Sequence, residues 1–98
     1  MTKQTGSFFK NAPLVCPNCG DEYLRYQGVE VYCRDKEGGD LGSMTRVSGG
    51  GTSITRGMEG NPSKRGDGVV ITFACETCDY KSKMVIAQEG GQAFFSME

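Results

Sequence analysis

The sequence predicts a small all-β domain, an antiparallel sheet with a metal held at one end. Three observations point there. Apolar residues alternate in short runs, such as Val29, Val31, Cys33 and Val69, Ile71, Phe73, and no stretch shows helical spacing. Glycine supplies 15 of the 98 residues and clusters between those runs, where it marks tight turns. Two cysteine pairs of identical spacing, Cys16-Pro17-Asn18-Cys19 and Cys75-Glu76-Thr77-Cys78, bracket most of the chain.

Each element has its own warrant. Residues 1–13 read as a flexible N-terminal tail that contains Phe8-Phe9 and ends at Pro13. Residues 14–98 read as a single domain with an inserted hairpin or loop at 35–66. Pro17 pre-sets the turn of the first cysteine knuckle, and Gly20 after it tolerates a positive φ. Tyr23 to Arg34 forms a strand, with Gly28 marking a bulge or bend. Cys33 is expected to be buried as a small hydrophobe. Residues 35–66 carry nine glycines, too long a stretch to lack structure inside a compact domain. Met44 to Ser48 and Thr52 to Arg56 flank Gly49-Gly50-Gly51 and read as a β-hairpin arm. With Gly50 at its centre, Arg46 would face Ile54 and both Arg46 and Arg56 would share one face. Asn61-Pro62-Ser63 makes a turn. Val69 to Cys75 is the clearest strand, its Val69, Ile71 and Phe73 on one face and Val70, Thr72 and Ala74 on the other. Lys81 to Gln88 and Gln92 to Met97 form a final hairpin around Glu89-Gly90-Gly91.

The cysteine pairs carry the clearest chemistry. Four thiolates, Cys16, Cys19, Cys75 and Cys78, are what one tetrahedral Zn²⁺ requires. Thiolate-only ligation leaves no open coordination position, so the ion is structural. Backbone N–H groups within the knuckles, those of Gly20 and Tyr80 among them, are expected to donate to the sulfurs. The chain contains no histidine, the commonest general base near neutral pH. Its local carboxylate pairs, Asp21-Glu22 and Asp35/Glu37, have no catalytic companion, so no enzyme is expected. Iron competes for the same ligand set, because soft thiolates bind both metals. A structural ion also suits a glycine-diluted chain whose apolar runs make only a small core.

Charge restricts the partners. The formal net charge is −1, which argues against indiscriminate binding to polyanions. Within 34–66, however, six basic residues stand against four acidic ones, a net of +2. Arg46, Arg56, Lys64 and Arg65 are the candidate partner-binding residues. The aromatic residues Tyr23, Tyr26, Phe73, Tyr80, Phe94 and Phe95 could stack bases or, equally, cover a sheet. An odd count of five cysteines, a polar Met1–Lys10 and no run of membrane-spanning length lead to the expectation of a reducing cytoplasm.

The first knuckle Cys16-Pro17-Asn18-Cys19-Gly20, the closing Phe73-Ala74-Cys75-Glu76-Thr77-Cys78 and the strand–turn–strand of 81–97 resemble a zinc ribbon. That resemblance covers about half the chain. It implies two knuckles on one zinc and a three-stranded antiparallel sheet, and it speaks to fold rather than function. The run from Asn61 through Cys75 and the hairpin 86–92 are also similar to small zinc-ribbon proteins of bacteria and phages, which implies a phage- or mobile-element-encoded chain. The expected function is a non-catalytic interaction module that binds a protein by strand addition. The alternatives are a nucleic-acid-binding ribbon using the basic arm at 44–65 and a rubredoxin-like iron electron carrier.

Overall fold

A computed structural model describes residues 13–98; the expected tail, with Phe8-Phe9, lies outside the described residues apart from Pro13. Six strands follow one another: β1 (Leu24–Arg34), β2 (Gly42–Ser48), β3 (Gly51–Arg56), β4 (Gly68–Cys75), β5 (Lys81–Glu89) and β6 (Gln92–Met97). They form one antiparallel sheet in the order β3-β2-β1-β4-β5-β6. The expected three-stranded sheet with a separate arm is therefore corrected. The glycine-rich hairpin is not an arm, because β2 pairs with β1 over seven residues, from Gly28 opposite Ser48 to Arg34 opposite Gly42. A β-branched, half-buried strand offers the hairpin a ladder, and the ladder absorbs backbone groups that a free arm would leave in water.

The hairpin register also differs from expectation. Thr45 faces Ile54 and Arg46 faces Ser53, with Ser48 opposite Gly51. The turn is two residues, Gly49-Gly50, the length that suits the strand twist, and Gly51 leaves it at φ 127. One residue of slip exchanges faces, so Arg46 and Arg56 project to opposite sides. The final hairpin turns on Gly90 (φ 57) and Gly91 (φ 85), a pair of left-handed residues that glycine adopts without a Cβ clash. Gln27 is the extra residue of a bulge in β1, where the register shifts between Tyr26 and Gly28.

Strand parity divides the sheet into two unlike faces. On one, Glu30, Tyr32, Met44, Arg46, Val70 and Lys83 lie on adjacent strands. A strap, residues 57–67, crosses this face at the end away from the cysteines. A Cβ at Gly42 would lie 2.8 Å from the Met58 methyl group, and one at Gly68 2.6 Å from the Pro62 ring. Beneath the strap Tyr32 is 4% exposed, and on the same face Val70 is 8% exposed.

The opposite face carries two unbroken rows across all six strands. One runs Ile54, Thr45, Val31, Val69, Ile86, Phe95; the other runs Thr52, Val47, Val29, Ile71, Met84, Met97. No described element covers them. Among the charged residues in the strands, only Arg56 lies on this face, at its corner. Cys33 belongs to it too and is exposed, which corrects the expectation of burial: alternation placed it on an apolar face, but no described element packs on that face.

The molecule is accordingly flat, with principal extents of 39 × 39 × 22 Å and a radius of gyration of 15.1 Å, against about 12 Å for a compact domain of this size. Among the described residues the buried hydrophobic ones are few: Cys16, Tyr32, Val70 and Cys75. Among the described residues no helix is long and apolar enough to cross a membrane.

Candidate metal centre

The two knuckles have the same local structure. In the first, the Cys16 N–H donates to the Asp21 carbonyl (2.7 Å) and the Gly20 N–H to the Cys16 carbonyl (2.8 Å). In the second, the Cys75 N–H donates to the Tyr80 carbonyl (3.0 Å) and the Asp79 N–H to the Cys75 carbonyl (3.0 Å). The fifth position of each loop is left-handed, Gly20 at φ 83 and Asp79 at φ 64. Aspartate is one of the few residues other than glycine that enters this region readily. β4 delivers the second knuckle directly, whereas the first leads into β1, and the Glu76 N–H joins them by donating to the Tyr23 carbonyl (3.0 Å).

This arrangement gathers Cys16, Cys19, Cys75 and Cys78, separated by up to 62 residues, so that their Sγ atoms lie within 4.8 Å of one another. Cys16 and Cys78 are 3.7 Å apart, Cys19 and Cys75 3.6 Å. A tetrahedral ion about 2.3 Å from each sulfur requires sulfur–sulfur edges of roughly 3.8 Å. The donor set and spacing therefore fit a metal ion with four sulfur ligands, and every tetrahedral position is filled by protein.

The sulfurs also receive hydrogen bonds. Asn18 donates from its backbone to Cys16 Sγ and from its side-chain amide to Cys78 Sγ, both at 3.4 Å. Asn18 and, secondarily, the Tyr80 N–H draw the Cys78 thiol down to about 6. At Cys19 the Asp21 N–H pulls the other way, but desolvation and the three neighbouring sulfurs outweigh it and push the thiol up to about 12. Packed thiols thus share their protons unequally, and a divalent cation relieves the crowding by replacing them. The expected donor Tyr80 is in place. Gly20 is not a sulfur donor here, since its N–H closes the knuckle onto Cys16.

Asn18 was not singled out by spacing, although its place inside the first knuckle is the signal that could have found it. A second missed contact is the hydrogen bond from the Thr77 hydroxyl to Asp21, which ties knuckle to knuckle and lowers the Asp21 carboxyl below its ordinary value.

The four candidate partner-binding residues are not brought together. Arg46 is paired with Glu30 on the strap-bearing face. Arg56 is paired with Asp35 at 2.6 Å across the corner of the other face. Lys64 and Arg65 lie in the strap at the far end, exposed.

Comparisons of the chain with protein families, with curated proteins and with solved structures find no match. The class is therefore defined by the structure itself: a small antiparallel sheet closed at one end by a four-cysteine metal-binding site.

Proposed function

We propose that this chain is a non-catalytic structural zinc module of the zinc-ribbon kind that binds another protein. The observation that supports this most is the closed four-sulfur cluster at the end of a sheet whose long sides are open. The ion holds two knuckles and has no free position for a substrate, so the working surface lies elsewhere. Strand β6 is an outer edge of the sheet. It presents unpaired backbone groups together with Phe94 and Phe95, 53% and 75% exposed. Such an edge accepts an extended segment as a further strand.

The positions of Arg46 and Arg56 favour protein over nucleic acid. Both guanidiniums are engaged by carboxylates, and they point away from each other, so they make no continuous cationic track for a phosphate backbone.

Two measurements test the reading. Elemental analysis with a visible spectrum is expected to give one zinc per chain and a colourless protein; stoichiometric iron with visible absorbance would replace the structural module by an electron carrier. Affinity capture from the native host should recover a protein whose binding is lost in Phe94→Asp and is insensitive to nuclease. Nucleic acid held at low salt, and released with a steep salt dependence, would show the nucleic-acid alternative to be the right one.

A further inference from the structure

The uncovered apolar face fits a second copy of this chain. We propose that the protein is a face-to-face dimer, two sheets packed as a sandwich about a two-fold axis parallel to the strands. The proposal uses the face that Phe94 does not share, although Phe95 belongs both to that face and to the β6 edge.

The area is sufficient. The two complete rows, with partial rows through Cys33 and Phe73 on either side, hold about 20 positions spaced about 4.8 by 6.8 Å, roughly 600 Å² per copy. Two copies would bury about 1,200 Å², at the lower limit of specific interfaces. A sheet with one apolar face needs a second layer, and none of the described elements provides one. The segregation of charge points the same way. Every charged strand residue except Arg56 lies on the strap-bearing face, and Arg56 stands at the corner of the open face paired with Asp35, so the middle of that face carries no charge that an identical face would repel.

Side-chain size determines the arrangement. At the β5–β6 side the two rows end in Met84, Ile86, Phe95 and Met97; at the β2–β3 side they end in Thr45, Val47, Thr52 and Ile54. A two-fold axis parallel to the strands lays β5–β6 of one copy over β2–β3 of the other, so Ile86 meets Thr45, Met97 meets Thr52 and Met84 meets Val47, larger on smaller as close packing demands, with Phe95 against Ile54 at the rim. At the centre Val31 meets Val69 and Val29 meets Ile71. An axis across the strands would instead stack Phe95 on Phe95 and leave threonines facing threonines. Aligned sheets pack about 10 Å apart at about 30°, so neither knuckle needs to move.

Ile54 and Phe95 are 69% and 75% exposed, so changing them spares the monomer. Sedimentation equilibrium of the full metal-loaded chain should give twice the 10.6 kDa monomer mass. Ile54→Glu and Phe95→Glu should each weaken the dimer by about tenfold or more, with metal content and β-sheet spectrum unchanged. In a Cys33→Ser background with the metal bound, Ile54→Cys mixed with Phe95→Cys should cross-link between the two variants, and neither should cross-link to itself. A monomer in solution overturns the proposal. The covering element is then residues 1–12 if their deletion exposes a dye-binding surface, and a different protein if it does not. A dimer indifferent to both glutamates, or one in which Phe95→Cys cross-links to itself, also overturns it. Capture at β6 is read with Phe94→Asp and the dimer with Ile54→Glu, which lies on the opposite edge strand, so failure of the edge-binding reading and failure of the dimer are told apart.

Discussion

The two ends of the sheet are closed by different chemistry. At one end, sequence-distant knuckles are joined by four sulfurs. The protein contacts that assist them are the end of the β1–β4 ladder at Leu24 and Cys75, the Asn18 amide on Cys78 Sγ, the Thr77 hydroxyl on Asp21, the exposed Arg25–Glu76 ion pair, and one backbone bond between Glu76 and Tyr23. At the other end the strap is held by protein alone. Ser63 is 1% exposed; its Oγ donates to the Gln88 carbonyl at 2.7 Å and accepts from the N–H groups of Gly66 (2.8 Å) and Arg65 (3.3 Å). Asn61 bridges the same loop, accepting from the Ser63 N–H and donating to the Gly66 carbonyl, both at 3.0 Å. Arg34 reaches in from β1 to the carbonyls of Gly66 and Ser63, each at 2.9 Å. The difference teaches where the stability resides. Hydrogen bonds contribute about 1 kcal/mol each, whereas a structural ion contributes on the order of 10 kcal/mol in zinc-finger peptides. In a sheet this thin, the metal end carries the fold and the strap end adjusts it.

The largest expected effect breaks the metal end. Cys75→Ser should abolish stoichiometric metal binding and the cooperative thermal transition, because losing one of four ligands removes stability comparable to that of a whole small domain. Cys33→Ser should leave metal content and melting unchanged. Loss of metal in Cys33→Ser with retention in Cys75→Ser would reverse the ligand assignment.

A smaller loss is expected at the strap. Ser63→Ala leaves two N–H donors and a carbonyl without their partner, a cost of about 1–3 kcal/mol. It should appear as a lower urea midpoint with full metal content. Equal damage to metal affinity would mean that the ends are not independent.

The strands themselves were legible in the residues because alternation and glycine punctuation act locally. All six segments, including the glycine-centred hairpin, lie within a residue or two of expectation, and Val69, Ile71 and Phe73 do share a face. The four-cysteine cluster was legible because C-x-x-C spacing is itself the local geometry of a knuckle. What alternation cannot report is how many layers lie over a face. Cys33 satisfies the pattern of a core residue and is exposed because none of the described residues packs on it. The hairpin register depended on which of three glycines made the turn, a choice decided by twist and by the ladder with β1. Ser63 and Arg34 are single polar residues that each also bond a partner far along the chain, Gln88 at 25 positions and Gly66 at 32, beyond the reach of any short motif. Asp79 shows its role only when the second knuckle is laid on the first, where it stands at the position of Gly20.

Turn strain is the next effect in size. Gly90→Ala places a Cβ at φ 57, at a cost of about 1 kcal/mol. The β5–β6 hairpin should fray, with faster amide exchange there and at the neighbouring strap contacts to Gln88 and Glu89, and no change at the cysteine end of the sheet.

The smallest effect concerns Glu30. Its carboxyl is held below the ordinary value of 4.5, first by the hydrogen bond from Arg46. A lowered carboxyl stabilises the fold fully above that ordinary value, and the contribution disappears as the pH falls through the lower folded value. The difference in stability between the wild type and Glu30→Gln should be at most about 1 kcal/mol near neutrality and should shrink below pH 4.5. Taking the difference cancels the acid release of metal that both share. A difference that grows in acid would contradict the pairing.

Chelation tests the central claim most directly. Complete removal of the metal from the full chain, followed by circular dichroism and thermal melting, should show loss of the sheet signal and of the cooperative transition. Adding back one equivalent of Zn²⁺ should restore both. A metal-free chain that keeps its sheet spectrum and its melting temperature would show that the protein contacts alone carry the fold, and would contradict the account.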